Sequence, residues 1–522
     1  MPNRKPTANL NFIDKTIMYF NPQNGLKRTQ ARLQHQTLAN GGYIGADTSR
    51  RSMRSANTLA GSSDSDDIPS LNNLRAISRD MDRNGPIPRG AIDTMRYNIL
   101  GSGLRVQSQI DYEFLGFTVD EARAWESKAE RIFKFWAESE NADVERTSNF
   151  YELQTIALIG TFVSGDIFTA MPYIDRKDSP YSLALQLIEA DRVSNPNNAM
   201  DSKRIAGGIE NDALGAPTHY HITKFHPGDL GLANSWKKVP VFGTSGRRNI
   251  LHTFEKRRPG QRRGISLLAP VIEPLKQLTD YTHAELTAAV VSGMFTVFIE
   301  TPEGEAAEGL DAEAQNYQPD EMKMEAGAIL GLAGGEKVTT ANPNRPNTAF
   351  DPFTQAVLKQ IGAALNLPFE VLMKHFTASY SASRGALLEA WKMFRTRRTW
   401  FSQKFTQPVY EALLTEAVLL GHLNAPGFLE DPMVKKAYCG ASWNGPAQGQ
   451  LNPVNETKAA ISRVEEGFST RTKEASEING TDYDQNIKRA QTETNQLRSS
   501  GLYELKNPQV ETEETPKKED DE

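Results

Sequence analysis

Apolar positions recur at spacings of three and four over residues 70–99: Leu71, Leu74, Ile77 and Met81, then Ala91, Ile92, Met95 and Ile99. That period puts each set on one helical face. Asn84-Gly85-Pro86 separates the two helices, and Gly101-Ser102-Gly103 ends the second. Residues 104–110 alternate and predict a strand. Residues 119–138 form an amphipathic helix with Ala122, Trp125, Ala129, Ile132, Phe133 and Trp136 on one face. A further helix is expected over 149–164, and alternating strands over 167–173, 183–193 and 219–225. Gly207-Gly208 and Pro227-Gly228 supply turns between them. The first half of the chain therefore reads as mixed α/β.

Ser266 is placed to cap a helix running to about Ser292, with Leu268, Val271, Ile272, Leu275 and Leu278 on one stripe. Pro270 suits an opening turn, whereas Pro274 would bend this helix or delay its start. Residues 294–300 and 326–332 read as strands, within a region that turns from acidic to Gly-rich to Pro/Asn-rich. A helix from Asp351 to Asn366 is stopped by Pro368. A long helix from Ser383 to Gln407 is broken or kinked at Pro408, and apolar residues continue to Leu420. After Trp443, short helices are separated by Gly467 and Gly480. No run of about 18 apolar residues occurs and the N-terminus lacks a signal-type apolar stretch, so no membrane partner is expected.

A length of 522 residues implies two to four domains. The net charge of −6 is unevenly spread. Residues 1–60 hold nine Lys/Arg against Asp14 and Asp47, a net of +7, while Glu511–Glu522 carries a net of −5. A basic arm suits nucleic acid, and an acidic tail stays solvated or docks on a basic partner; two disordered, solubilising ends fit the composition equally well. SANTLAGSSDSDD (55–67) reads as a flexible linker, with order beginning near Ile68. The one cysteine, Cys439, excludes an internal disulfide and a cysteine-based zinc knuckle, and reads as a buried small apolar residue.

Enzyme chemistry finds little support. Gly331–Thr339 (GLAGGEKVT) lacks the G-K-S/T ending of a phosphate loop and reads as a turn between strands. His219 and His221 share a strand face near His226, a possible metal pair, but no further ligand motif completes a set and a strand surface is the simpler reading. No G-x-S-x-G or H-E-x-x-H motif occurs, and no cofactor is expected. Two basic clusters are more informative. Lys256, Arg257, Arg258, Arg262 and Arg263 surround Pro259-Gly260 just before a helix. Arg384, Lys392, Arg395, Arg397, Arg398 and Lys404 interleave with Trp391, Phe394, Trp400, Phe401 and Phe405. Such residues either neutralise DNA phosphates or form a subunit-facing basic surface over an aromatic core. Between helices, residues 367–382 carry Lys374, His375, Ser379, Tyr380 and Ser381. They project into a channel, or the segment is a connector packed by Phe369, Leu372 and Phe376.

Four stretches, 79–108, 252–289, 365–411 and 443–460, resemble in order and spacing the portal proteins of lambda-like tailed bacteriophages. The resemblance implies a predominantly helical α+β subunit, non-enzymatic and without cofactor, assembling into a homo-oligomeric ring of twelve. It implies a wing over 68–264, stem helices at 265–293 and 349–366, a clip over 294–348 and a tunnel loop at 367–383. A long kinked helix and the rest of the wing would occupy 384–449 and a crown 450–500, flanked by a basic arm (1–67) and an acidic tail (501–522). Lys374, His375, Ser379, Tyr380 and Ser381 would line a channel through which double-stranded DNA is packaged and ejected without sequence specificity. Arg257, Arg258, Arg262, Arg263, Arg384, Lys392, Arg395, Arg397 and Arg398 would face a neighbouring subunit or DNA. Implied partners are the terminase large subunit, head-completion or adaptor proteins, and the major capsid or scaffold protein. Assembly would occur in the host cytoplasm and the final location would be the virion portal vertex. The competing classes are another capsid-vertex or scaffold-type protein without a channel, a metal-dependent hydrolase, and a monomeric DNA-binding protein.

Overall fold

The computed structural model describes residues 12–41, 44–46, 50–229, 235–293, 297–300, 337–340, 349–376, 379–450 and 452–502. The chain divides into two units, Met1–Ser62 and Ser63–Glu522. In the first, α1 (Phe12–Phe20) and α2 (Pro22–Gly41) pack together, with Gly25 so close to Met18 that a Cβ would lie 2.6 Å from its Cα. The basic stretch that composition marks as an arm thus carries two helices.

The second unit opens with α3 (Ser63–Asp67), inside the stretch expected to be linker. Asp64 pairs with Arg262 at 3.0 Å and Asp66 with Arg258 at 2.8 Å. These partners lie almost 200 residues away, so local composition could not reveal the ordering. α4 (Leu71–Asn84) and α5 (Pro86–Ile99) follow as expected. Ala91, Ile92, Met95 and Ile99 are buried, but Ile77 is exposed while Arg75 and Ser78 turn inward. Polar partners reverse that part of the stripe: Arg75 reaches Asp166, and Ser78 Oγ donates to Ser266 Oγ at 2.8 Å.

Next come β1 (Arg105–Ser108), α6 (Tyr112–Leu115), α7 (Val119–Ala137) and α8 (Phe150–Val163). Both long helices open with a capping box, Thr118 with Glu121 and Asn149 with Glu152, which satisfies end N–H groups reciprocally. β2 (Asp166–Ala170), β3 (Gln186–Glu189), β4 (Ile205–Ala206), β5 (Ile209–Asn211), β6 (Pro217–Thr223), β7 (Trp236–Pro240) and β8 (Ile250–Phe254) make two antiparallel sheets, ordered β3-β2-β8 and β4-β5-β6-β7. A small core of Phe168, Ile188, Tyr220, Ile222 and Ile250 lies between them.

A 3₁₀ turn at Ala269–Val271 takes up Pro270, and α9 (Ile272–Gly293) starts late, so that Pro274 falls in its first turn. Ser266 Oγ accepts from Leu268 N at 3.1 Å, ahead of that turn, and caps neither the turn, whose N-cap is Leu268, nor α9. β9 (Val297–Glu300) pairs antiparallel with β10 (Lys337–Thr340), so Lys337–Thr339 is strand where a turn is expected. The strand expected over 326–332 lies outside the described residues. α10 (Phe350–Leu365) ends at Asn366 in the left-handed conformation. α11 (Phe369–Met373) and α12 (Tyr380–Phe401) follow, then a π-helical turn, Ser402–Thr406, and α13 (Gln407–Leu419). The break precedes Pro408 because its ring nitrogen cannot donate to the carbonyl of residue 404, and the wider turn accommodates the lost bond.

α14 (Pro432–Tyr438), β11 (Ala441–Asn444), α15 (Pro453–Glu465), α16 (Arg471–Asn479) and α17 (Tyr483–Ser499) complete the described chain. β11 pairs antiparallel with β1, Trp443 opposite Val106, and so closes residues over 300 apart onto one core. That core gathers Phe133, Trp136, Phe150, Phe401, Phe405 and Tyr410 from α7, α8, the end of α12, the π turn after it and α13. The architecture is α+β and predominantly helical, as expected.

Candidate nucleic-acid interface

The segment expected as one loop over 367–383 is divided. Val371 and Leu372 bury one face of α11, and Leu367 N donates to Gly362 O at 2.8 Å. Lys374 ends the helix with φ 54° and ψ 35°, a left-handed turn that exposes Lys374, His375 and Phe376 together. Ser379 caps α12: its Oγ accepts from Ala382 N at 3.4 Å and lies 3.2 Å from Ser381 Oγ. Tyr380 and Ser381 therefore belong to the first turn of α12 and not to a loop. Both are exposed, as is Met373. The described tip thus offers one ammonium, one imidazole, hydroxyls and apolar side chains.

The basic turn after Glu255 faces largely inward. Arg263 is 2% exposed and wraps Asp166: Nε donates to Oδ2 at 2.6 Å and Nη2 to Oδ1 at 3.2 Å. It also donates to the carbonyls of Val193, Gly207 and Ala190. Arg75 Nη2 (3.1 Å), His252 Nε2 (3.1 Å) and Gly264 N (3.1 Å) complete the shell of Asp166. Burial alone would raise the Asp166 carboxyl, but the Arg263 and Arg75 guanidiniums outweigh it and hold it well below the usual range. Burial, then the neighbouring Arg263, lowers Arg75 to about 10. Burial also lowers His252, whose ring stacks on Phe168 and Phe254 at 4.1 and 4.3 Å. Two glycines permit this closure. A Cβ on Gly264 would lie 2.0 Å from Gly165 O, and Gly165 has φ +92°. Arg262 pairs with Asp64, Arg258 with Asp66, and Arg257 lies 4.0 Å from Glu255.

The basic cluster of α12 is also neutralised internally. Arg398 donates to the carbonyls of Ile99, Asn98 and Pro446, all at 2.8–2.9 Å, and burial lowers it to about 10. Arg397, also lowered by burial, sits 3.6 Å from Glu255 and over the Phe162 ring. Arg384 faces Glu456 at 4.0 Å, Lys392 Glu389 at 2.7 Å and Arg395 Glu477 at 3.5 Å. Trp391, Phe394, Phe401 and Phe405 are buried, so these aromatics pack rather than present stacking faces. The guanidiniums of Arg263, Arg397 and Arg398 hold this subunit's own backbone and acids. Arg257, Arg258, Arg384, Lys392 and Arg395 keep an exposed side but share it with an intrachain carboxylate.

The histidines do not assemble. His219 and His221 approach Glu210 at 3.9 and 3.4 Å, but Lys238 Nζ (2.7 Å) and Arg204 Nη2 (2.6 Å) already hold that carboxylate, lowering it to about 2. His226 goes instead to Glu189, at 3.2 Å. Among the described residues no group of three or more His, Cys, Asp or Glu is disposed to hold a metal ion. Cys439 is buried, and burial pushes its thiol up to about 12, against nucleophilic use.

Sequence reasoning missed Asp166, which carries no motif. Its signal was indirect: an Arg-Arg-Gly turn and a Ser-Gly-Asp turn each place a glycine beside a charged residue.

The chain is similar to Portal protein B of Escherichia phage lambda, 24% identical over 477 residues, covering 86% of this chain and 88% of that protein. It is similar also to the portal protein of Escherichia phage N15, 23% identical over 477 residues, covering 86% and 89%. Among solved structures, one from the neck of an empty GTA particle aligns with a TM-score of 0.43 at 13% identity, covering 76% of this chain and 92% of that one. A HK97 family phage portal protein from Corynebacterium diphtheriae aligns at 0.30 and 9% identity, covering 58% and 81%. The family model for the phage portal protein, lambda family, matches residues 49–398. That match spans the basic turn, the second basic cluster as far as Arg398, Asp166 and its partners, and the tip at Lys374, and the chain belongs to the lambda family of phage portal proteins.

Proposed function

We propose that this chain forms a twelve-membered ring at one capsid vertex, through which double-stranded DNA is packaged and later ejected. The observation that carries this reading is the family match over residues 49–398. In it, 68–264 with 384–449 form the wing, α9 and α10 the stem, the β9–β10 region the clip, and α15–α17 the crown. The terminase large subunit docks on the clip during packaging, and head-completion proteins replace it. Capsid or scaffold protein surrounds the wing. Assembly takes place in the host cytoplasm, and the ring itself hydrolyses nothing.

Exposed apolar side chains support association. Leu286 and Val290 on α9 and Phe353 on α10 are each more than half exposed, which a stem packed against neighbouring copies would cover. In the ring, Lys374 and His375 of each copy reach the channel. Ring symmetry multiplies one modest cation into a band of charge, and contacts to phosphate without base readout let duplex slide.

Native mass and negative-stain images test the ring. Twelve copies of a 58.0 kDa chain give roughly 0.7 MDa and annular views. A chain that stays monomeric with capsid and scaffold proteins present would refute it. Lys374→Ala with His375→Ala should leave the ring intact and impair DNA packaging or retention; normal packaging and retention would remove the tip from the channel.

A further inference from the structure

Nine of the cations that stand out in the sequence are neutralised within the subunit, which directs attention to those that are not, Lys404 among them. A groove of about 790 Å³ opens between α13 and the turn joining β7 to β8. Four cations line it: Arg247, Arg248, Lys404 and Lys435. Arg247 lies 3.8 Å over the Tyr173 ring, and its Nη2 donates to Met171 O. Its Nε is buried with no acceptor. Arg248 sits over Phe242 and Lys435 over Phe428. Among the described residues, none of the four forms an ion pair. The one acid on the wall, Glu411, is taken by Gln407 and Lys436. Apolar walls complete the groove: Tyr173, Phe242, Leu419 and Leu429 are 45–63% exposed.

We propose that this groove is the docking site of the chain's own acidic C-terminal segment, residues 503–522. The segment carries eight Asp/Glu against three Lys, with Tyr503, Leu505 and Val510 to meet the apolar walls. Carboxylates suit paired guanidiniums and ammoniums on a half-buried wall, where charge-assisted hydrogen bonds are strong. The segment can also reach. On α17, Lys488 Nζ lies 3.4 Å from Ser127 Oγ of α7. From α7, Trp125 contacts Tyr438 at 5.1 Å, and Tyr438 contacts Phe428 of the groove at 6.0 Å. The end of α17 is therefore on the order of 40 Å from the groove, and twenty extended residues span about 66 Å. The inference concerns one subunit and stands apart from the ring reading.

Zero-length carbodiimide cross-linking of the full chain tests it. Cross-links from acids in 511–522 to Lys404 or Lys435 are expected, and they should fade at high salt. A second measurement uses the full chain with the tail acids changed to amides, leaving the groove free. A labelled 503–522 peptide should bind this chain saturably, and Arg248→Glu with Lys404→Glu should weaken binding about tenfold or more at unchanged melting temperature. Cross-links confined to the lysines of residues 1–60, an absence of cross-links to the groove, or peptide binding indifferent to the double substitution would each overturn the proposal.

Discussion

Asp166→Asn removes the only negative charge, among the described residues, in contact with both Arg75 and Arg263. The substitution keeps size and most of the geometry, so the effect isolates charge. Two guanidiniums would be left facing each other in a site where their side chains are 2–3% exposed. Breaking a buried pair by removing one partner costs about 3–5 kcal/mol. A domain's whole stability is about 5–15 kcal/mol, so the loss is a large share. At roughly 2–4 °C per kcal/mol, the melting temperature should fall by about 10 °C. Arg258→Ala is the internal control: its pair with Asp66 is 2.8 Å long but nearly half exposed. Such a pair contributes only about 0–1 kcal/mol. Melts followed by circular dichroism, with urea titrations of the same proteins, give both values. pH adds a sign check. A carboxyl held below its ordinary value stabilises the fold above that value and is lost only as pH falls through the lower, folded value. His252, lowered by burial, makes the fold less stable as pH drops below about 6.5, because the unfolded chain takes up the proton first. If Asp166→Asn melts within about 1 kcal/mol of the parent, or Arg258→Ala costs as much, the account of the hub is wrong.

Other expectations follow from the same geometry. Gly264→Ala would set a Cβ 2.0 Å from the Gly165 carbonyl oxygen, so no soluble folded protein is expected; a soluble product with the parent melting temperature would show that the approach can relax. Arg398→Ala orphans the carbonyls of Asn98 and Ile99 at the end of α5 and should cost about 2–4 kcal/mol by thermal or urea melts, whereas a DNA-contacting arginine would alter affinity with the fold intact. Burial pushes Glu130 up to about 7, opposed by the Ser108 N–H and reinforced by Asp482. The folded chain therefore holds a proton that the unfolded chain releases near pH 4.5, and stability declines as pH rises through 7. Glu130→Gln, which keeps the acceptor for Ser108, should match the parent at low pH and exceed it above pH 7 in urea titrations.

Elements set by local periodicity were legible from residues alone. α4, α5, α7, α8 and α10 begin and end within a residue or two of where their stripes, caps and prolines place them. What escaped was determined at long range. β11 exists because β1 needs a partner, and nothing near Trp443 announces it. α3 is ordered by arginines almost 200 residues away. Ile77 lost its buried place because Arg75 and Ser78 had better partners inside. The kink in the long helix was foreseen at Pro408, but its form, a π turn ahead of the proline, depends on how the aromatic core holds Phe401 and Phe405.

The basic clusters carry the more general lesson, because charge along a sequence and charge on a surface are different quantities. Nine Lys/Arg marked in the sequence for an interface or DNA each meet an acid or backbone carbonyl of the same subunit. In the ring reading, that outcome suits a conduit better than a strongly cationic wall would. Each neutralised phosphate releases counterions and tightens binding, so a wall bearing nine free cations per copy would hold duplex and not pass it. In the ring reading, the described tip offers Lys374 and His375 beside Met373, Phe376 and Tyr380, enough charge to centre a polyanion and too little to anchor it. The arginines instead tie elements of the subunit together, the turn before α9 to the β3-β2-β8 sheet through Asp166 and the long helix to α5 through Arg398. In the ring reading, a channel that must keep its bore under load would depend on such ties, and buried, fully bonded guanidiniums supply them where surface pairs would not.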